Sequence, residues 1–593
     1  MDFSKYKKEP LLWKCAFFLL SFLYLGIYHQ DVLYHIGWKS YFVDNEPFRE
    51  LTVHQSCGWL FYISLYLNQI FFYPKTAAFV ISLILTLLVV AVEKCSRCEW
   101  NLLNYLPSVF LLLLFGRAGM AIFSPFQMGM FWALILGTCW TVGMYALHRR
   151  YDNTYLTYAL LAVSLLLVPL WGIFSALTML VISFDELLKR NYICLVVSIV
   201  AFPLALYCSG YVMYDEDYVH ALYTPFASPF YKDIFLCSVF LALSLMGLPF
   251  YHLVNRWAKL TDWRSQILSV AFLSLIAFFG SYREANYRAL IKLVRMSDSM
   301  QWKEMLQYAT SINHPTRGVN AYRIIAANAR GQLNKRIFDV QLPLSASQSP
   351  YTMEAAVYLS DEFLHASFLA MAQSTAMDEW IEIGENYRTL KRFVVIALLR
   401  GEDDLAMRYI RIMKDAPVLR STAEELEQYV ENKELFFEKY PIYRQIVENR
   451  LEEDHPQLIH NHLSSFYLWY DHLTGVNIER RLLANLYQRR VDAAVNEYIL
   501  FRRSGWSAPV PEWFSEAVVI KSIREGNFYA VQQLKIAPML VQKVQACFSD
   551  FSKFRGDQMM EAGEKLYPKY RGMYCYYYLL NNYKFNDSVP QER

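Results

Sequence analysis

With 593 residues, 55% of them hydrophobic and 17% aromatic, the chain has room for more than one domain, and those figures average two unlike halves. The formal net charge of +3, without any block of Lys and Arg, argues against nucleic acid as a partner. The ten cysteines form no secreted disulfide framework. Cys15, Cys139, Cys194, Cys208 and Cys237 lie in apolar runs, where cysteine acts as a small hydrophobe. Cys95 and Cys98 make a lone CxxC with no second pair to complete a zinc site. Cys547 and Cys575 are the only cysteines late in the chain, and they are placed to pair only if that part is extracytoplasmic.

In chain order, a short basic start (Lys5, Lys7, Lys8) precedes an apolar run at 11–28 of membrane-spanning length. No small-residue cleavage site follows, so the run reads as a retained anchor. Further apolar runs fall at 77–93, 105–123, 127–147, 155–170, 171–187, 191–209, 232–251 and 265–281, which predicts about nine spans. The pair 155–187 reads as a tight hairpin broken near Pro169 and Gly172. Positive charge at Lys94, Arg97, Arg149, Arg150, Lys189, Arg190, Arg256 and Lys259 places those ends in the cytoplasm. That count works if the run 57–73, which carries Asn68, Gln69 and a Trp59/Tyr62/Tyr66/Tyr73 face, lies in the membrane interface rather than crossing. The stretch 29–56, the loop 210–231 and everything after about 281 are then extracytoplasmic.

After 281 the pattern changes to amphipathic helices, predicted at 285–296, 300–311 and 319–330, with further pieces at 397–417 and 491–529. Gly401, Ala406, Tyr409 and Pro417 stand like the turn, small residue, aromatic and closing proline of a tetratricopeptide (TPR) helix pair, without a constant period. No strand alternation is present. The expected fold is therefore all-α: a polytopic membrane domain at 1–281, with an outer loop and interfacial helix at 29–76, and a TPR-like helical-repeat domain at 282–593. His455, His460, His462 and His472 read as surface histidines, since His460 and His462 point to opposite sides of a helix.

No Walker loop, GxGxxG, HExxH or GxSxG is present, which leaves ATP hydrolysis, dinucleotide redox and zincin chemistry without a signature. Neither charges deep in several spans nor an internal repeat supports a transporter. Arg117, in LLLLFGRAGM, is the one basic residue near a span without a charged flank, and snorkelling to headgroups accounts for it as cheaply as a functional role.

The arrangement of one anchor, a long outer loop with early acids (HQDVLYH, then Asp44 and Glu46), an interfacial helix, many spans and an outer soluble domain resembles the GT-C glycosyltransferases. That resemblance implies a lipid-linked sugar donor, with Asp31 at the position of the family's acceptor- or metal-directed aspartate and Asp44 and Glu46 as further candidates. Asp31 has no second acid beside it, so a divalent metal is an option that the residues do not require. A second resemblance is carried by GWLFYISLYLNQIFFYP (58–74) and RGVNAYRIIAANARGQLNKRIFDV (317–340). These are similar to a family of Gram-negative multi-pass proteins of unknown function. That likeness implies a bacterial inner-membrane protein, N-terminus cytoplasmic, with a periplasmic helical-repeat domain, and it implies no activity.

Two functions follow. In the first, Asp31 is a general base for an acceptor hydroxyl. Arg117, Lys39 or Arg49 holds a donor phosphate, and Trp38, Tyr41, Trp59 and Tyr62 stack on sugar or headgroups. Asp215, Asp217 and His220 of the second outer loop line the same cleft. In the second, the protein is a non-enzymatic scaffold whose 282–593 domain binds an envelope protein partner, and the loop acids are dispensable. Apart from the lipid bilayer, the partner is a lipid-linked sugar in the first and a protein in the second.

Overall fold

The computed structural model describes residues 9–96, 101–119, 127–151, 153–215, 221, 223–254, 263–312, 315–339, 353–450 and 476–582. Every regular element among them is a helix. The chain divides into two compact units that are not contiguous in sequence. The first comprises Met1–Tyr287 with Trp380–Lys391 and Met407–Glu427, and the second Arg288–Glu379, Arg392–Ala406 and Gln428–Arg593.

The first unit opens with α1 (Glu9–Leu23), which unwinds into one π-helical turn at Tyr24–Tyr28 and bends by 68° into α2 (Gln30–Lys39). The bend turns α2 against the 3-10 turn Gln69–Phe72. Gly37 makes that approach possible, because a Cβ there would lie 2.9 Å from the backbone carbon of Phe71. Next come α3 (Glu46–Val53), capped by Asn45 whose Oδ1 accepts the Phe48 N–H at 3.0 Å, and α4 (Gly58–Asn68). The long α5 (Pro74–Ser96), α6 (Asn101–Arg117) and α7 (Met130–Tyr151) follow. The expected hairpin is α8 (Thr154–Leu166), the short α9 (Val168–Trp171) and α10 (Ile173–Leu188), broken at Gly172, whose φ is +51°. α11 (Ile193–Tyr207) runs on into a π-helical turn, and helices Lys232–Met246 and Trp263–Gly280 complete the apolar set.

Three of these helices, α5, α7 and the continuous Ile193–Met213, are long and apolar enough to cross a membrane; counting each bent pair as one span gives up to five. That is fewer than the nine expected. The runs at 155–170 and 171–187 fold as the shorter helices α8 and α10, parted at Pro169 and Gly172, and α6 ends at Arg117.

Two helices of this unit carry broad faces of exposed apolar side chains. On α11 the buried residues include Cys194 and Ser198, while Val196, Ile199, Val200 and Leu204 are each about 60% exposed. On Trp263–Gly280, Ser269 and Ala277 are buried and Leu268, Phe272 and Phe279 are exposed. Hydroxyls join the helices from inside: Ser183 to Ser198 at 2.8 Å, Thr178 to Thr141 at 3.2 Å, and Ser108 to the Leu85 carbonyl at 2.9 Å.

The second unit is a succession of short amphipathic helices. Those at Ala285–Asp298, Trp302–Thr310 and Arg317–Ala329 match the expected ones within about two residues, a usual margin for helix ends. One core cluster gathers Leu482, Leu486, Phe514, Ala517 and Phe551 around the helix Tyr574–Asn582. Tyr574, Cys575, Tyr576, Tyr577 and Leu580 of that helix are fully buried, so the YCYYYLL run is a central post. Elsewhere Arg392 bridges two buried carboxylates, Asp361 at 2.7 Å and Glu379 at 2.9 Å, and Tyr322 donates to Asp361 at 2.8 Å.

Candidate functional site

The stretch 29–74 carries most of the expected site residues, and the structure separates them into different surroundings. Asp31, His35 and Lys39 are spaced four apart along α2, which places them on one face. His35 and Lys39 are buried and Asp31 half-buried, with His29 buried at the bend itself. Asp44 and Glu46, by contrast, are exposed. The Asp44 backbone N–H donates to the Asp415 carbonyl at 2.8 Å, and Glu46 sits in the first turn of α3. The three carboxylates therefore do not share one environment.

The aromatic side chains expected to stack on sugars are largely packed on the chain's own helices. Trp38 lies 4.9 Å from the Phe72 ring, with the Lys391 ammonium 5.5 Å from its centroid. Tyr41 meets Trp380 at 5.6 Å and Tyr387 at 6.0 Å. Tyr62 packs on Phe42 at 5.1 Å, and only Trp59, half-exposed, remains at the surface beside it. Backbone bonds complete the clasp: Tyr387 N–H to the Ser40 carbonyl at 3.3 Å and Val418 N–H to Gln69 Oε1 at 3.0 Å. Arg117 pairs at 3.7 Å with Asp233 in the first turn of Lys232–Met246, which gives the isolated cation a counter-charge. Asp215 is exposed; Asp217 and His220 lie outside the described residues, as do the four histidines at 455–472.

A second group of buried charges, which the sequence reading did not single out, lies at the ends of two apolar helices. His148 near the end of α7 and Asp185 and Glu186 near the end of α10 are all buried, with potential ligand atoms within 4.8 Å of one another. His148 Nε2 stands 3.0 Å from Asp185 Oδ2 and 3.7 Å from Glu186 Oε1, and Nδ1 stands 3.1 Å from the Thr157 hydroxyl of α8. Arg149 reaches Asp185 at 3.0 Å, and Tyr145 donates to the same oxygen at 3.3 Å. Lys189 pairs with Glu186 at 2.9 Å, whose second oxygen accepts from Asn191 at 3.0 Å.

Three such ligands suit a divalent metal in number. Here, however, both carboxylates are already neutralised by a guanidinium and an ammonium, and an added dication would face those two charges at close range. The residues fit a charge-balanced joint between α7, α8 and α10 better than a metal centre. In the sequence its parts are visible only as HRRY and FDELLKR at the ends of two apolar runs; their meeting depends on which helices pack together.

These features define an all-helical protein in two units, one built of apolar helices with inward-facing hydroxyls and one of short amphipathic helices. The chain belongs to a family of unknown function, DUF6057, whose profile matches residues 5–581. The match runs through both units, in keeping with a family likeness carried by segments as far apart as 58–74 and 317–340, and it brings no activity with it. Neither a curated protein nor a solved structure matches the chain.

Proposed function

We propose that this is an integral protein of the bacterial inner membrane, with about nine spans and a cytoplasmic N-terminus. In this reading it is a non-enzymatic scaffold that presents a periplasmic TPR-like domain to an envelope protein partner. Membrane placement is supported by α11 and Trp263–Gly280, since their broad faces of exposed Val, Ile, Leu and Phe suit lipid and not water. The observation that carries the scaffold reading is the occupation of the outer loop. Trp38, Tyr41 and Phe42, which a transferase would present to substrate, are engaged by Trp380, Tyr387 and Lys391. The loop thus works as a clasp for the chain's own later segments. Helical-repeat surfaces bind protein partners through side chains exposed along the stack. A photo-crosslinking residue placed at Arg330 or Gln445, in whole cells, is expected to give one discrete protein adduct, recovered reciprocally from the partner. Its absence at both positions, together with loss of function in Asp31→Asn, would sink the scaffold.

One observation favours lipid-linked glycosyl transfer as a second reading: Asp31, His35 and Lys39 share a face of α2 directly after the first apolar helix bends. Asp31 would take the acceptor proton and Lys39 would hold the donor phosphate. Consumption of a lipid-linked sugar that stops in Asp31→Asn, and survives in Asp44→Asn, is the expected result.

A further inference from the structure

The first unit has a groove of about 630 Å³ lined by Gln69, Tyr73, Val418, Arg420, Ser421 and Glu424 among others, a volume in the range of small-ligand sites. Its position is informative. Tyr73, 65% exposed, immediately precedes Pro74, the first residue of α5, one of the helices long and apolar enough to cross a bilayer. A groove at the start of a span lies where headgroups lie, and an exposed tyrosine is at home there. One wall is fixed, because Gln69 Oε1 accepts the Val418 N–H.

The charges are specific as well. Arg420 and Glu424 are both exposed and stand one turn apart in helix Arg420–Glu431, with Cβ atoms roughly 5–6 Å apart. In a helix, a cation placed N-terminal to the acid is the weaker order for self-pairing, which leaves both charges available to a ligand. Arg420 and Ser421 open that helix, where an anion is favoured by the helix terminus.

We propose that this groove holds the headgroup of a phosphoethanolamine-type zwitterionic phospholipid. The phosphate lies against Arg420 and the Ser421 hydroxyl, and the primary ammonium donates to Glu424. A purely anionic headgroup would place charge against Glu424. A choline headgroup cannot donate hydrogen bonds, and the groove offers it one tyrosine rather than an aromatic cage. The site rests on the membrane reading above.

The test uses the full chain in phosphatidylcholine nanodiscs doped with phosphatidylethanolamine or phosphatidylglycerol, with retained lipid read by native mass spectrometry. Phosphatidylethanolamine is expected to be retained over both other lipids. Arg420→Ala is expected to cut its retention about tenfold, Arg420→Lys less, and Glu424→Gln to abolish the preference over phosphatidylglycerol. Equal retention of all three lipids, or an Arg420→Ala variant of unchanged melting temperature that still retains phosphatidylethanolamine, overturns the site. A chain that stays in solution without detergent and does not enter nanodiscs overturns the membrane reading itself, and the two failures are told apart in one preparation.

Discussion

Tyr387 and Phe42 exchange hydrogen bonds in both directions: the tyrosine hydroxyl donates to the Phe42 carbonyl at 2.7 Å and accepts the Phe42 N–H at 3.0 Å. One side chain thereby satisfies both backbone groups of a buried residue 345 positions earlier, in the way a paired strand would. Tyr387→Phe keeps the ring contacts with Phe72 and Tyr41 and removes only the hydroxyl. Each backbone group left unpaired costs about 1–3 kcal/mol. A clear drop in the melting temperature of the purified protein is expected, with Tyr387→Ala worse because it also empties the ring's place. An unchanged midpoint for Tyr387→Phe would mean that water replaces the hydroxyl.

Glu516 is 3% exposed in the core of the second unit, where burial pushes its carboxyl from 4.5 up to about 8, opposed by the Cys575 N–H that donates to it at 2.9 Å. The native state therefore holds a proton that the unfolded chain has released between about pH 4.5 and 8. Because the folded pKa is raised, this group's contribution is greatest below 4.5 and is lost as pH rises through 8. Melting temperature should fall across that window, and Glu516→Gln, neutral throughout, should flatten the decline. A variant as pH-dependent as the wild type would remove Glu516 from the account.

Cys547 and Cys575 are fully buried in one core cluster, and the Cys575 thiol donates to the Val544 carbonyl at 3.8 Å. Burial raises the Cys575 thiol well above its usual value, so neither thiol is expected to react with alkylating reagents in the folded protein. With the domain in an oxidising periplasm, as proposed, exchange with a disulfide oxidant would carry both hydrogens and two electrons away and leave the pair joined. Peptide mapping under non-reducing conditions should find that bond in protein taken directly from cells. Two free thiols after denaturing alkylation would instead place the domain in a reducing compartment.

Local pattern was legible in the sequence to the extent that helices report their own faces. The break at Gly172 and the helices after 285 follow from residues within one or two turns of the feature. Partner choice between distant elements was not. His148 and Asp185 look like ordinary flanking charges until α7, α8 and α10 are brought together. Tyr41 and Trp38 look like interfacial aromatics until Trp380, Tyr387 and Lys391 arrive. The run YCYYYLL has no helical periodicity because it is buried on nearly every side, and a helix apolar all round gives no facial signal.

The interleaved membership of the two units also bears on biosynthesis. Because Trp380–Lys391 and Met407–Glu427 belong to the first unit, the ribosome must pass residue 427 before that unit has all its parts. Ser40 and Phe42 wait for Tyr387, and Gln69 waits longer, for Val418. Early release of the nascent chain anywhere between 287 and 427 would leave the first unit incomplete. For the same reason, a fragment cut at 281 to isolate a soluble domain would carry two segments stripped of their home, with Trp380 and Tyr387 laid bare. A fragment begun at 428 would in turn lose Phe338 and Asp339, which the last helices of the second unit pack on and pair with.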